Sequence, residues 1–187
     1  MKILGGRYKG LTIDTYKNIF YRPTQTRIRK SIFDILTPFT YSNVLDLYSG
    51  SGILGFESAS RGAESITFVE NNSASIKMLN RNKTKFNCPE FFVIKKNVFS
   101  YLKGLNNNYD LIFADPPYDI LDYSLLINMC IEKLSKNGKL IVEMSNNKFS
   151  FKDSIERKYG DTKIVIYNQK CRELYTQGLL TQYITDT

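Results

Sequence analysis

Val44-Leu45-Asp46-Leu47-Tyr48-Ser49-Gly50-Ser51-Gly52-Ile53-Leu54-Gly55 is the stretch that decides the architecture. An apolar run holding one carboxylate leads into a glycine-rich turn, and an apolar helical stretch over 53–61 follows. Gly50, Gly52 and Gly55 satisfy the GxGxxG spacing after a strand and at the opening of a helix, which is the context a nucleotide site requires. Glycine lets the backbone turn sharply and approach a ligand closely. Glu70 stands at the end of the next predicted strand, where a carboxylate can accept from both ribose hydroxyls. The pattern alone suits a dinucleotide or S-adenosylmethionine. Asp46 favours the second, because inside the first strand it faces a cationic ligand well and a pyrophosphate badly.

Outward from that stretch the chain alternates. Strands are predicted over 44–48, 65–69, 91–95, 111–114 and 140–144, with helices over 53–61, 73–86, 98–103 and 122–135. Strand and helix in turn are the signature of a parallel α/β sheet. The tail reads differently, as two strands over 162–167 and 173–177 joined into an antiparallel hairpin. At the other end, 2–4 and 10–13 form a short hairpin within an arm over 1–22, and the domain proper runs over 23–187. Pro23 blocks helix at Arg22, and Thr24 is a candidate N-cap. From there Ile28, Ile32, Ile35, Leu36 and Phe39 recur at helical spacing, with Arg27, Arg29 and Lys30 off that stripe. The first turn of this helix is therefore cationic, against its own dipole, which makes sense if it meets an anion.

Charge and composition narrow the partners. The net charge is +8, and residues 1–30 hold +7 of it, so a nearly neutral body carries a basic arm. That asymmetry is the footprint of a polyanion, most often nucleic acid. Arg7, Lys9, Arg22, Arg27 and Lys30 are the candidate phosphate contacts. The absence of His removes Ser-His-Asp and Cys-His catalysis and every His-ligated metal site, so no metal is expected. Cys88, Cys130 and Cys171 have no metal-ligand spacing and read as thiols of a reducing compartment, which points to the cytoplasm. No apolar run approaches the roughly 18 residues of a membrane span. Lys2, Arg7 and Lys9 interrupt any signal-peptide core, so no membrane partner is expected.

The chemistry sits in Asp115-Pro116-Pro117-Tyr118, directly after the hydrophobic fourth strand. In a doubly wound sheet the first and fourth strands flank the topological switch point, so this tetrapeptide shares a crevice with the glycine loop. Two prolines hold the Pro116 carbonyl rigid. That carbonyl and the Asp115 carboxylate are two acceptors for the two donors of an exocyclic NH2 group. Tyr118 can stack on a base plane.

Asp-Pro-Pro-Tyr resembles the motif of amino-methyltransferases. Arg22-Pro23-Thr24 before a helix, Asp46-Leu47-Tyr48-Ser49-Gly50-Ser51-Gly52, Gly62-Ala63, the opening Ile3-Leu4-Gly5-Gly6-Arg7-Tyr8-Lys9-Gly10 and the late Tyr159-Gly160-Asp161-Thr162 together resemble the RsmD family. These are small bacterial 16S rRNA (guanine-N2) methyltransferases. The resemblance implies a Rossmann-like S-adenosylmethionine-dependent methyltransferase fold, a seven-stranded, mostly parallel sheet of order 3-2-1-4-5-7-6. It implies that S-adenosyl-L-methionine is the cofactor, with Gly50 and Gly52 along the methionine moiety, Glu70 on the ribose and Asn97-Val98 around the adenine; Asp46 and Tyr48 complete the cofactor set. Many relatives carry Asp where Asn97 stands. The implied partner is 16S rRNA, free or within the small ribosomal subunit or an assembly intermediate, with the enzyme acting as a monomer. An adenine-N6 nucleic-acid methyltransferase uses the same tetrapeptide but usually carries an extra recognition domain, for which 70–117 leaves no room. A protein-glutamine methyltransferase usually has Asn at position 115. An NAD-dependent dehydrogenase would leave Asp115–Tyr118 unexplained and lack a His. A non-catalytic rRNA-binding module predicts loss of the glycine loop or the acceptor pair, and both are intact.

Overall fold

The computed structural model describes residues 1–15, 26–87, 89–117, 123–146 and 154–168. Its chain order is α1 (Thr26–Ile35), β1 (Asn43–Leu47), α2 (Ile53–Ser60), β2 (Ser65–Glu70), α3 (Ser73–Lys83), β3 (Glu90–Lys95), α4 (Val98–Lys103), β4 (Tyr109–Ala114), α5 (Tyr123–Ile131), β5 (Leu134–Ser145), β6 (Ile155–Tyr159) and β7 (Thr162–Asn168). The strands form one seven-stranded sheet of order β3-β2-β1-β4-β5-β7-β6. The first five run parallel, β7 is antiparallel to β5, and β6 is antiparallel to β7.

Period-two alternation splits each central strand between two cores. Val44, Ile66, Phe68, Leu111, Phe113 and Ile141 face α1, α2 and α3. Leu45, Leu47, Val69, Ile112, Leu140 and Val142 face α4 and α5. With both faces covered, the central strands read as continuous apolar runs. Every residue of α2 is buried, which suits a helix with no polar stripe.

Several boundaries differ from the sequence reading, each for a physical reason. The terminal hairpin joins β6 to β7, not 162–167 to a strand over 173–177, and 173–177 lies outside the described residues. Its turn is Gly160-Asp161 with Gly160 at φ 61, a glycine placement that two-residue hairpin turns favour. Helix α1 stops at Ile35, short of Phe39, ahead of the Thr37-Pro38 step. Arg29 is buried at 1% exposure instead of lying off the apolar stripe. Its guanidinium donates to the Lys2 carbonyl at 2.8 Å. The fifth strand starts at Leu134, earlier than predicted, because a register shift against Tyr109 and Leu111 absorbs Ser135–Gly138.

The predicted hairpin near the start is present. The Ile3 N–H donates to the Leu11 carbonyl and the Gly10 N–H to the Ile3 carbonyl, at 3.0 and 2.9 Å. Ile3 and Ile13 enter the core beside α1 and α2. Glu57 of α2, itself fully buried, accepts from the N–H groups of Leu4 (2.7 Å) and Gly5 (2.9 Å) and from Arg61 Nε (3.0 Å).

Candidate active site

Strands β1 and β4 lie side by side, with α2 after β1 on one face of the sheet and α5 after β4 on the other, the switch point at which an open α/β sheet has its crevice. Strand β1 ends at Leu47, and the chain turns at Tyr48, a non-glycine residue at φ 55. Gly50 and Gly52 follow at φ 52 and 76, the left-handed region that favours glycine. A Cβ on Gly52 would lie 2.5 Å from Leu79 and one on Gly55 2.4 Å from Phe68. The last two glycines of the motif thus serve helix–sheet packing as well as the turn, a role the ligand-approach argument did not include.

Asp46 is almost fully buried, and its Oδ2 accepts from the Gly55 N–H at 3.0 Å. Gly52 caps α2 with no side-chain hydrogen bond, so the cap comes from β1. Burial pushes the Asp46 carboxyl up to about 8; the Gly55 N–H works against that shift and the Glu70 charge adds to it. Tyr48 is half-buried and its phenol is pushed up by burial. On the neighbouring strand, Glu70 holds the glycine loop through Oε2, which accepts from the Gly50 N–H at 2.8 Å. Its Oε1 accepts from Asn71 and Asn72 at 2.7 and 2.8 Å. A carboxylate offers about four acceptor positions, so with two donors on Oε1 and one on Oε2 it is Oε2 that has room for a further donor.

Asn97 caps α4, its Oδ1 accepting from the Ser100 N–H at 3.1 Å. Val98 opens that helix and is buried. Asp115 and Pro116 leave β4 directly after Ala114, Pro116 buried and Pro117 exposed. Asp115 is held well above the ordinary carboxylate range, first by burial, then by Glu143 and Asp46. Tyr118 and Arg22 lie outside the described residues.

Asp46, Tyr48, Gly50, Gly52, Glu70, Asn97, Val98, Asp115 and Pro116 therefore meet at the C-terminal ends of β1 to β4. The cationic candidates divide. Arg27 and Lys30 are exposed on α1, whose Ser31 hydroxyl meets Tyr159 beside the C-terminal end of β5. Arg7 and Lys9 are exposed at the hairpin turn, where Arg7 N–H donates to the Ser60 carbonyl at the far end of α2. That turn borders a depression of about 270 Å³ lined by Tyr8, Gly62, Glu64 and Pro89, at the opposite end of the sheet from the crevice. Glu143 on β5 and Glu57 on α2 were not singled out from the sequence. An acid in an apolar run looks like an exposed position until its neighbours are known.

Asp46, Asp115 and Glu143 gather three carboxyl groups near the C-terminal ends of β1, β4 and β5, a set that a cationic group would suit and that opposes a pyrophosphate. Among the described residues no three or more His, Cys, Asp or Glu are placed to hold a metal ion. No helix among them is long and apolar enough to cross a membrane.

The family model described as "Conserved hypothetical protein 95" matches residues 1–168. A Buchnera aphidicola (subsp. Baizongia pistaciae) protein called "Ribosomal RNA small subunit methyltransferase D" is 33% identical over 150 residues, covering 78% of this chain and 76% of that protein. The protein of the same name from Escherichia coli K12 is 30% identical over 144 residues, covering 76% and 71%. Among solved structures, a putative methyltransferase from Escherichia coli superposes with a TM-score of 0.79 at 25% identity, covering 90% of this chain and 97% of that one.

Proposed function

The chain belongs to the conserved hypothetical protein 95 family, with the ribosomal RNA small subunit methyltransferase D proteins, and from that premise we propose that it methylates the exocyclic N2 amine of a guanine in 16S rRNA. The observation that carries the reading is the pairing of β1 with β4, which sets Asp115-Pro116 beside the Asp46 and glycine-loop end of the sheet. S-adenosylmethionine is the methyl donor in this reading, supplying a methyl group activated by positive sulfur.

The chain's own residues bind, orient and accept. Glu70 takes a ribose hydroxyl on Oε2, and the α4 N-terminus at Asn97-Val98 frames the adenine. Asp46 and the loop over Tyr48–Gly52 hold the methionine end. The Asp115 carboxylate and the Pro116 carbonyl accept the two hydrogens of the target amine. That arrangement turns the nitrogen lone pair toward the methyl group and works by positioning. The guanine must leave its stack to reach the crevice. Tyr118 is assigned to stacking on it, and Arg7, Lys9, Arg22, Arg27 and Lys30 to flanking phosphates. The enzyme acts in the cytoplasm as a monomer, without metal.

Incubation with labelled S-adenosylmethionine and separated 16S rRNA, 23S rRNA, tRNA and DNA tests the reading. Label should enter 16S rRNA and appear after digestion as N2-methylguanosine. Label recovered as N6-methyladenosine, or in DNA, would overturn it.

A further inference from the structure

The end of the sheet away from the crevice carries a depression that the methyl-transfer reading leaves unused. It holds about 270 Å³, just below the roughly 300 Å³ at which pockets for drug-sized ligands begin, so it suits a single flat ring system. Its floor is small and apolar, with Ala59 of α2 and Ala63 ahead of β2 both buried. The polar groups beneath it are spent inside the fold. The Ser60 hydroxyl accepts from the Tyr8 N–H at 2.8 Å and donates to the Gly5 carbonyl at 2.6 Å. The Ser60 carbonyl accepts from the Arg7 N–H at 2.7 Å, and the Ala63 N–H donates to the Ser58 carbonyl at 3.1 Å. One wall is the partly buried Tyr8 ring, which is held in place twice. Phe86 packs on it at 4.7 Å between centroids, and its hydroxyl accepts from the Asn87 N–H at 3.1 Å. The Arg7 guanidinium lies over that ring, 5.7 Å from its centroid. Pro89, ahead of β3, forms another wall, and at the mouth Gly62 leaves open space where a Cβ would stand.

A ligand therefore meets apolar and aromatic surface below and charge only at the rim. Glu64 is exposed on that rim, and Lys9 is exposed at the hairpin turn beside it. We propose that the depression is a second RNA subsite, which takes one unstacked guanine of the substrate RNA far from the amine being methylated. The inference rests on the reading above that RNA is the substrate. Single-stranded bases are held by stacking on aromatic rings and guanidinium planes and by hydrogen bonds to their Watson–Crick edges. Glu64 selects among the bases. Guanine alone presents two adjacent donors, N1–H and the N2 amine, to the two oxygens of a carboxylate. Adenine and cytosine set one donor beside a ring-nitrogen acceptor, and uracil flanks its single N–H with two carbonyls, so each turns an acceptor toward the carboxylate. The phosphates of the bound nucleotide then meet the cationic turn of Arg7 and Lys9.

The test titrates the ribonucleotides UUGUU and UUAUU into the 187-residue chain at low salt. Binding is read at the amide signals of Tyr8, Gly62 and Ala63, which line the depression and stand away from the crevice. In the wild type these signals should report UUGUU bound about tenfold more tightly than UUAUU, within what a bidentate base contact contributes. Glu64→Gln should bind the two alike within about twofold, because an amide cannot accept from both guanine donors. Tyr8→Leu should weaken both RNAs about tenfold through lost stacking and leave their ratio as it was. Equal binding of the two RNAs by the wild type, or an undiminished guanine preference in Glu64→Gln, overturns the proposal. If the function reading fails instead, labelled methyl enters no RNA while the guanine preference at these amides persists.

Discussion

Replacing Asp46 by Asn separates two demands on one side chain. Asn keeps an oxygen for the Gly55 N–H but cannot ionise. The folded chain holds the Asp46 proton up to about 8, whereas an unfolded Asp releases it near 3.8. Between those values the native state binds the extra proton, so stability falls as pH rises; the penalty is absent below the lower value and complete above the higher one. Asp46→Asn should therefore melt above wild type at pH 9, with the gap closing toward pH 4. Thermal unfolding at both pH values checks this, and an equal gap at both would contradict it. Calorimetry should show S-adenosylmethionine bound more weakly by about 1.5–3 kcal/mol, the worth of a charged hydrogen bond. Burial of Asp46 in the native state is then a stability cost retained for a cation.

At the scale of elements, the joint between the opening hairpin and α2 depends on Glu57. Three donors converge on it, and the buried Arg29 guanidinium takes electrostatic support from it. Glu57→Ala leaves those part-buried groups without their acceptor and the buried Arg29 without its counter-charge, and should cost about 3–5 kcal/mol. Denaturant unfolding measures the total, and amide exchange at Leu4 and Gly5 locates it; continued protection of those two amides would show that the hairpin is held otherwise. Neither Glu57 nor Arg29 was legible as a buried group, because each lies in a short helix where one charged residue fits an exposed position equally well. Strands β1, β2 and β4 were legible, since burial on both faces makes them unbroken apolar runs bounded by turn residues. Strand β6 was not. Ile-Glu-Arg-Lys-Tyr is an edge strand, and edges carry charge that guards against further pairing. The glycine loop and Asp115-Pro116 were legible from type and spacing, whereas Glu143 became visible only through the pairing of β4 with β5.

For the whole molecule, the division of the cations is the feature that bears on RNA. Arg27 and Lys30 lie toward the crevice end, and Arg7 and Lys9 at the other end of α2, separated by roughly 20 Å, the span of a six-residue strand at about 3.3 Å per residue. An RNA that follows both ends should respond to either pair. Arg7→Gln with Lys9→Gln, and separately Arg27→Gln with Lys30→Gln, should each flatten the salt dependence of log affinity by about 1.4–1.8, at ~0.7–0.9 per phosphate contact. Filter binding across a salt series measures both slopes, and a response from only one pair would confine the RNA to that end. S-adenosylhomocysteine affinity should hold in both variants. The two cores also differ in their aromatic content. Among the described residues, Phe33, Phe56, Phe68, Phe86 and Phe113 are the buried rings on the α1–α3 face, while Tyr109 and Tyr167 are those on the α4–α5 face. The chain contains no Trp to mask either set. Near-ultraviolet circular dichroism should therefore show phenylalanine fine structure weighted toward the side that carries the hairpin, while the tyrosine band draws on both faces, because Tyr8, Tyr41 and Tyr159 pack on the α1–α3 side.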